Sequence, residues 1–130
     1  VNYGLLPYFD EFWTSDNTDA LQRVYMQWGT SAFYPSIAMA SHVSADRNHQ
    51  TGRQLPLKFR FDVAMSGRLG MEIQPSNMSQ SDKEFATRAI AAYKSVRPWC
   101  SGATFTVFVR LMSSGMWLRS CMWMPTSARP

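Results

Sequence analysis

Between Ser36 and Ser44 the chain reads SIAMASHVS, a short and mostly apolar run of small and branched residues. Such a run is what a strand needs when both of its faces are buried, as in a parallel sheet covered by helices. The sequence on either side supplies helical material. Upstream, Leu21, Val24, Tyr25 and Trp28 recur at i, i+3, i+4 and i+7 after TSDNTD, which predicts an amphipathic helix capped by Asn17 or Thr18 and stopped by Gly29. Downstream, SQSDKEFATRAIAAYKSVRP predicts a helix with a capping box at Ser81 and Glu84, one face formed by Phe85, Ala89, Ala92 and Val96, and an end at Pro98. RLGMEIQP reads as a short strand closed by Pro75. In LKFRFDVAM the residues Leu57, Phe59, Phe61, Val63 and Met65 alternate, so period alone favours a strand, although Phe61, Ala64, Met65 and Leu69 would also form a helical stripe. Helices alternating with short buried strands make the fold class α/β, with the loop that carries Asp16 lying just before a helix.

The length of 130 residues with 45% apolar content is enough for one small domain, or part of one, and too apolar for disorder. No charge-free apolar run approaches the roughly 20 residues of a membrane span, and no secretory signal opens the chain. Val1 is not an initiator Met, which leaves room for a piece of a longer protein. The net charge of +4 invites a nucleic-acid or membrane partner, but its distribution argues against both. Up to Pro98, ten Lys and Arg face nine Asp and Glu, and the remaining excess comes from Arg110, Arg119 and Arg129. The segment after Pro98 contains both cysteines and three of the five tryptophans, yet no Asp, Glu, Lys, Asn or Gln. That is a compositional boundary. Cys100 and Cys121 match no metal or redox spacing.

Two carboxylates, Asp16 and Asp19, stand at the start of the first helix, where acids commonly complement the helix dipole. The alternative is chemical. The aromatic pair Phe12 and Trp13 lowers the polarity around a neighbouring carboxyl, favouring the neutral form that can donate a proton. Trp13 also offers an apolar face to a sugar ring, or simply belongs to the core. His42, Asp46 and His49 do not follow a zinc spacing, so no metal is expected, and His42 reads as a polar residue at a strand end. SGRLG and QTGRQ lack the spacing of a phosphate loop, and no nucleophile elbow is present.

The segments FWTSDNTDALQR, QWGTSAFYP, MASHVS, NHQTGR, PLKFRFDVAMSGRLGMEI and AIAAYKSVRP, in that order, resemble the α-galactosidases of glycoside hydrolase family 36. The resemblance covers residues 1–98. It implies that this stretch is the last third of a (β/α)8 barrel, with chemistry at the C-terminal ends of the strands. It also implies that LKFRFDVAM is a helix, against its period. Asp16, in the SDN motif, corresponds to the general acid/base of that family, and Asp19 to a motif position with a structural role. The family mechanism is retaining and needs a nucleophilic carboxylate about 5–5.5 Å from the acid. The Lys-Trp-Asp run that carries the nucleophile has no counterpart here, nor does the Cys- and Gly-rich galactose-recognition loop. The implied substrates are α-galactosides such as melibiose and raffinose, with no cofactor, no nucleic acid, no membrane, and a parent enzyme that can be homo-oligomeric. The compartment stays open between bacterial cytoplasm and periplasm.

At Pro98 the resemblance stops, where the family continues through GDLYRL. Reading the third base of each codon with the first two of the next makes Trp99–Cys100 and Met116–Trp117 encode Val, and Met122 to Pro125 encode Val, Asp, Ala. Permissible codons elsewhere in the tail allow DLYRL. Residues 99–130 are therefore expected to be an out-of-frame tail rather than a domain, although TFTVFVRL alternates as a strand would. Competing expectations are activity on N-acetylated galactosides, galactosyl transfer to another sugar, and a small basic nucleic-acid-binding module, the last of which depends on the tail.

Overall fold

A strand buried on both faces needs a neighbour on each side, and SIAMASHVS has two. In the computed structural model, which describes residues 2–101, 106–111 and 117–122, with side chains up to Arg97 other than those of Tyr3 and Leu6, strand β2 (Met39–Ser44) lies between β1 (Phe12–Trp13) and β3 (Arg68–Glu72). All are parallel, in chain order, with Trp13 opposite Ala40 and His42 opposite Gly70. The first part of the run, Ser36–Ala38, is a 3-10 turn entered from Pro35. Each strand is followed by a helix, α1 (Ala20–Ser31), α2 (Leu57–Ala64) and α3 (Gln80–Ser101). Strands β4 (Thr106–Leu111) and β5 (Trp117–Met122) pair antiparallel in a separate sheet. Side chains from residue 98 onward, including the two cysteines, lie outside the described residues, as does the expectation of an out-of-frame tail.

One face of the three-stranded sheet carries the core. Val43 packs with Phe61 and Ala64 of α2 and Ala86 of α3, and Phe61 meets Phe85 edge-to-face at 5.6 Å. Truncating a ring buried this deeply costs about 3–5 kcal/mol. Ser41, on the same face of β2 as Val43, donates a hydrogen bond of 2.7 Å to Gln27 of α1. On the opposite face the Trp13 and His42 rings meet with centroids 4.3 Å apart.

Several local expectations change. LKFRFDVA is helix α2, as the resemblance implies and against its period, because a helical turn from Pro56 buries Arg60, Phe61, Val63 and Ala64 on one side. The apolar stripe of α1 is not its buried face. Tyr25 and Trp28 are exposed, while Ala20, Arg23 and Gln27 are buried. Gln27 can take that place because its amide is fully used: Nε2 donates to the Val63 carbonyl at 2.9 Å and to Ser66 Oγ at 2.8 Å, and Oε1 accepts from Ser41. The helix passes Gly29 and ends at Ser31. In α3 the N-terminal acceptor is Ser79 Oγ, which takes the Asp82 amide, rather than Ser81. The inward residues are Phe85, Ala86, Ala89, Ile90 and Tyr93, leaving Ala92 and Val96 exposed. The helix continues past Pro98 to Ser101, since a proline removes one hydrogen bond while its own φ remains helical. Tyr93 joins this helix to the sheet by donating to the Gly67 carbonyl at 3.0 Å and accepting the Leu69 amide at 3.1 Å.

Candidate active site

Parallel strands all place their C-terminal ends on one edge of the sheet, so the loops that follow β1 and β2 converge there. The β1 loop runs Thr14-Ser15-Asp16-Asn17-Thr18 into α1. Its N-cap is Asp19, not Asn17 or Thr18: Asp19 Oδ1 accepts the amides of Leu21 at 2.9 Å and Gln22 at 3.3 Å. Asn17 and Thr18 serve the loop instead. Asn17 Oδ1 accepts the Asp19 amide at 2.9 Å, and Thr18 Oγ1 accepts from Asn48 Nδ2 at 3.0 Å.

The second oxygen of Asp19 reaches across to the β2 loop. Asp19 Oδ2 accepts from Thr51 Oγ1 and from Arg53 Nη1, both at 2.5 Å. Burial of this carboxyl, which is 1% exposed, pushes its pKa up. The hydrogen bonds from Thr51 and Arg53, then those from the Gln22 and Leu21 amides, outweigh that effect and hold it below the ordinary aspartate value. Asn48 closes the β2 loop on itself, its Oδ1 accepting the amides of Gln50 and Thr51 at 2.9 Å each. Gly52, with φ of 69°, supplies the left-handed turn that brings Arg53 back toward Asp19.

Asp19 is therefore consumed by structure, and Asp16 is not. Asp16 is exposed, three residues past the end of β1, and among the described residues its carboxylate has no hydrogen-bond or ion-pair partner. Three residues before it, Trp13 is half-buried, packed against His42, with the Arg23 guanidinium 4.5 Å from a ring centroid. Arg23 Nη2 also donates to the Ser15 carbonyl at 2.7 Å, and Nη1 to Thr14 Oγ1. Gly70 sits under His42 so closely that a Cβ there would lie 2.1 Å from Cδ2 of the imidazole.

His42 thus lies within β2 as part of an aromatic stack rather than at a strand end. Asp46 is drawn to Arg60 at 3.5 Å and to Gln54 at 3.0 Å, and His49 is exposed in the loop. Among the described residues no group of three or more His, Cys, Asp or Glu side chains could hold a metal, and no helix is long and apolar enough to cross a membrane. A cavity of about 810 Å³ at the ends of β2 and β3 is lined by Asp46, Arg60, Glu72 and Asp82 among others, and Asp16 is not part of its wall. Arg23, Asn48, Thr51 and Arg53 went unread in the sequence. Only the QTGR turn hinted at any of them, since their partners lie up to 34 residues away.

Parallel strands in chain order, each followed by a helix, make this an α/β protein. The sequence model of the family described as melibiase matches residues 1–102. The chain is 46% identical over 110 residues to α-galactosidase AgaA of Geobacillus stearothermophilus, covering 85% of this chain and 15% of that one. It is also 46% identical over 96 residues to a probable α-galactosidase G of Aspergillus terreus, covering 73% and 13%. A structure of AgaA in complex with raffinose superposes with a TM-score of 0.77 at 43% identity, covering 82% of this chain and 15% of the other, and another holds stachyose. The chain belongs to the melibiase family, the α-galactosidases of glycoside hydrolase family 36. It spans about 15% of the length of the curated relatives it matches.

Proposed function

We propose that residues 1–98 are the last three βα units of a (β/α)8 catalytic barrel, and that Asp16 is the general acid/base of a retaining α-galactosidase. The observation that carries the assignment is the division of labour between two neighbouring carboxylates. Asp19 is buried and spends its oxygens on four hydrogen bonds, whereas Asp16 is exposed on the strand-end edge, its oxygens without a partner among the described residues. The barrel reading draws support from strands that follow chain order without a reversal and from core packing on a single face of the sheet, because a doubly wound sheet would reverse its order and carry helices on both faces. The face that carries Trp13 and His42 would then line the barrel interior, with Trp13 bordering the substrate.

In this mechanism a nucleophilic carboxylate, which lies outside residues 1–130, attacks the anomeric carbon. The Asp16 proton passes to the departing oxygen as the C–O bond breaks, and the Asp16 carboxylate then takes a proton from the water that releases galactose. The substrate is a terminal α-galactoside of the kind seen in the relatives' complexes with raffinose and stachyose. We also read residues 99–130 as out of frame, on the compositional break after Pro98, and the parent enzyme as homo-oligomeric. Asp16→Ala in the full-length enzyme tests the central assignment. General acid catalysis contributes about 10²–10⁴-fold, so kcat/KM on raffinose should fall by that factor. An activated aryl α-galactoside, whose leaving group needs little protonation, should be largely spared. Wild-type turnover of raffinose would refute the role.

A further inference from the structure

Arg23 is 3% exposed, and a guanidinium is expensive to bury unless its charge and its donors are met. Its direct contacts are neutral groups on three consecutive residues: the Trp13 ring, Thr14 Oγ1 and the Ser15 carbonyl. Among the described residues no carboxylate lies within ion-pairing distance of it. Burial lowers its pKa from the ordinary arginine value, and the more distant charges of Glu72 and Asp16 act in the opposite sense. Those three contacts end on the residue immediately before Asp16. A planar fork with several fixed donors suits that task, whereas an aliphatic residue of similar bulk would fill the space without fixing the loop.

We propose that Arg23 is a positioning residue for the reaction, clamping Trp13, Thr14 and Ser15 so that the Asp16 carboxyl is held in line with the departing glycosidic oxygen. The inference rests on the assignment of Asp16 as acid/base. As the C–O bond breaks, its electron pair goes to the leaving oxygen and the Asp16 proton follows, leaving a carboxylate. A desolvated guanidinium nearby stabilises that developing charge without reorganising. A loosened loop instead weakens proton delivery, which matters only when the leaving group needs a proton.

Leaving-group sensitivity separates this role from a merely structural one. In the full-length enzyme, kcat/KM is measured for raffinose and for a nitrophenyl α-galactoside in Arg23→Met, which keeps bulk, and Arg23→Lys, which keeps charge without the fork. Misplacing a catalytic group by about 1 Å costs about 10²-fold, so Arg23→Met should lose about that factor on raffinose while losing only about threefold on the activated substrate. Arg23→Lys should lose about tenfold on raffinose alone, and carries the test if Arg23→Met does not fold. Equal losses on both substrates, or no loss on raffinose, would overturn the proposal. Asp16→Ala is measured alongside. If it too spares raffinose, the acid/base assignment fails; if it is leaving-group selective and the Arg23 variants are not, only the role of Arg23 fails.

Discussion

Removing the Asp19 side chain should open the N-terminus of α1 and detach the β2 loop from it. Asp19→Ala deletes an N-cap, a loss of about 1 kcal/mol. It also removes the acceptor for Thr51 and Arg53, and breaking a buried pair from one side costs about 3–5 kcal/mol. That range falls to about 1–2 kcal/mol here, because the Arg53 side chain is 37% exposed and can return to water. A local loss of about 2–3 kcal/mol follows, which at tenfold per 1.4 kcal/mol corresponds to about 30- to 150-fold faster opening. Hydrogen exchange reads this directly at the amides of Leu21 and Gln22, both donors to Asp19 Oδ1, in the full-length enzyme. The pH dependence has a definite sign. The folded pKa of Asp19 lies below its unfolded value of 3.8, so its contribution is complete above that value and is lost as pH falls through the lower folded pKa. Protection of these amides should persist at pH 5 and above and decline only in stronger acid, and Asp19→Asn should remove that acid dependence. Unchanged exchange in Asp19→Ala, or protection lost already near pH 6, would refute the reasoning.

Gly70→Ala should destabilise the sheet by about 1–3 kcal/mol, since the new Cβ collides with the His42 ring, and the loss should shrink in a His42→Ala background, as a double-mutant cycle of unfolding midpoints would show. If the two changes add independently, the close packing is not what excludes a side chain there. Resequencing the coding DNA should reveal DLYRL in the adjacent reading frame just after the Pro98 codon, and an intact present frame with no such segment would contradict the out-of-frame reading. The 130-residue chain alone should turn over no α-galactoside, because it holds Asp16 without a nucleophile; galactose release from raffinose by the purified chain would contradict this.

The order of strands and helices was legible because their signals are local. The small apolar residues of MASHVS mark a buried strand, and short polar residues before Ala20 mark a helix start. What was not legible depended on partners distant in sequence. Asn17, Thr18 and Asp19 are all competent caps, and Thr51 and Arg53, 32 and 34 residues on, decide among them. Hydropathy misdirected the reading of α1, because Gln27 and Arg23 face inward on hydrogen bonds that no apolar pattern registers, while Tyr25 and Trp28 face outward. The alternation in LKFRFDVAM was outvoted by packing of Phe61 and Ala64 on Val43. The role proposed for Asp16 rests on the SDN motif. The structure adds that the neighbouring carboxylate, Asp19, is already occupied.

The anomeric configuration of the product formed when azide rescues Asp16→Ala tests the central claim most directly. In the full-length variant, an activated aryl α-galactoside should still form the glycosyl-enzyme, and azide, which needs no general base, should release it. Two inversions then give α-galactosyl azide, identifiable by NMR. Formation of the β-azide would instead make Asp16 the nucleophile, and wild-type hydrolysis of raffinose without azide would deny it any catalytic role.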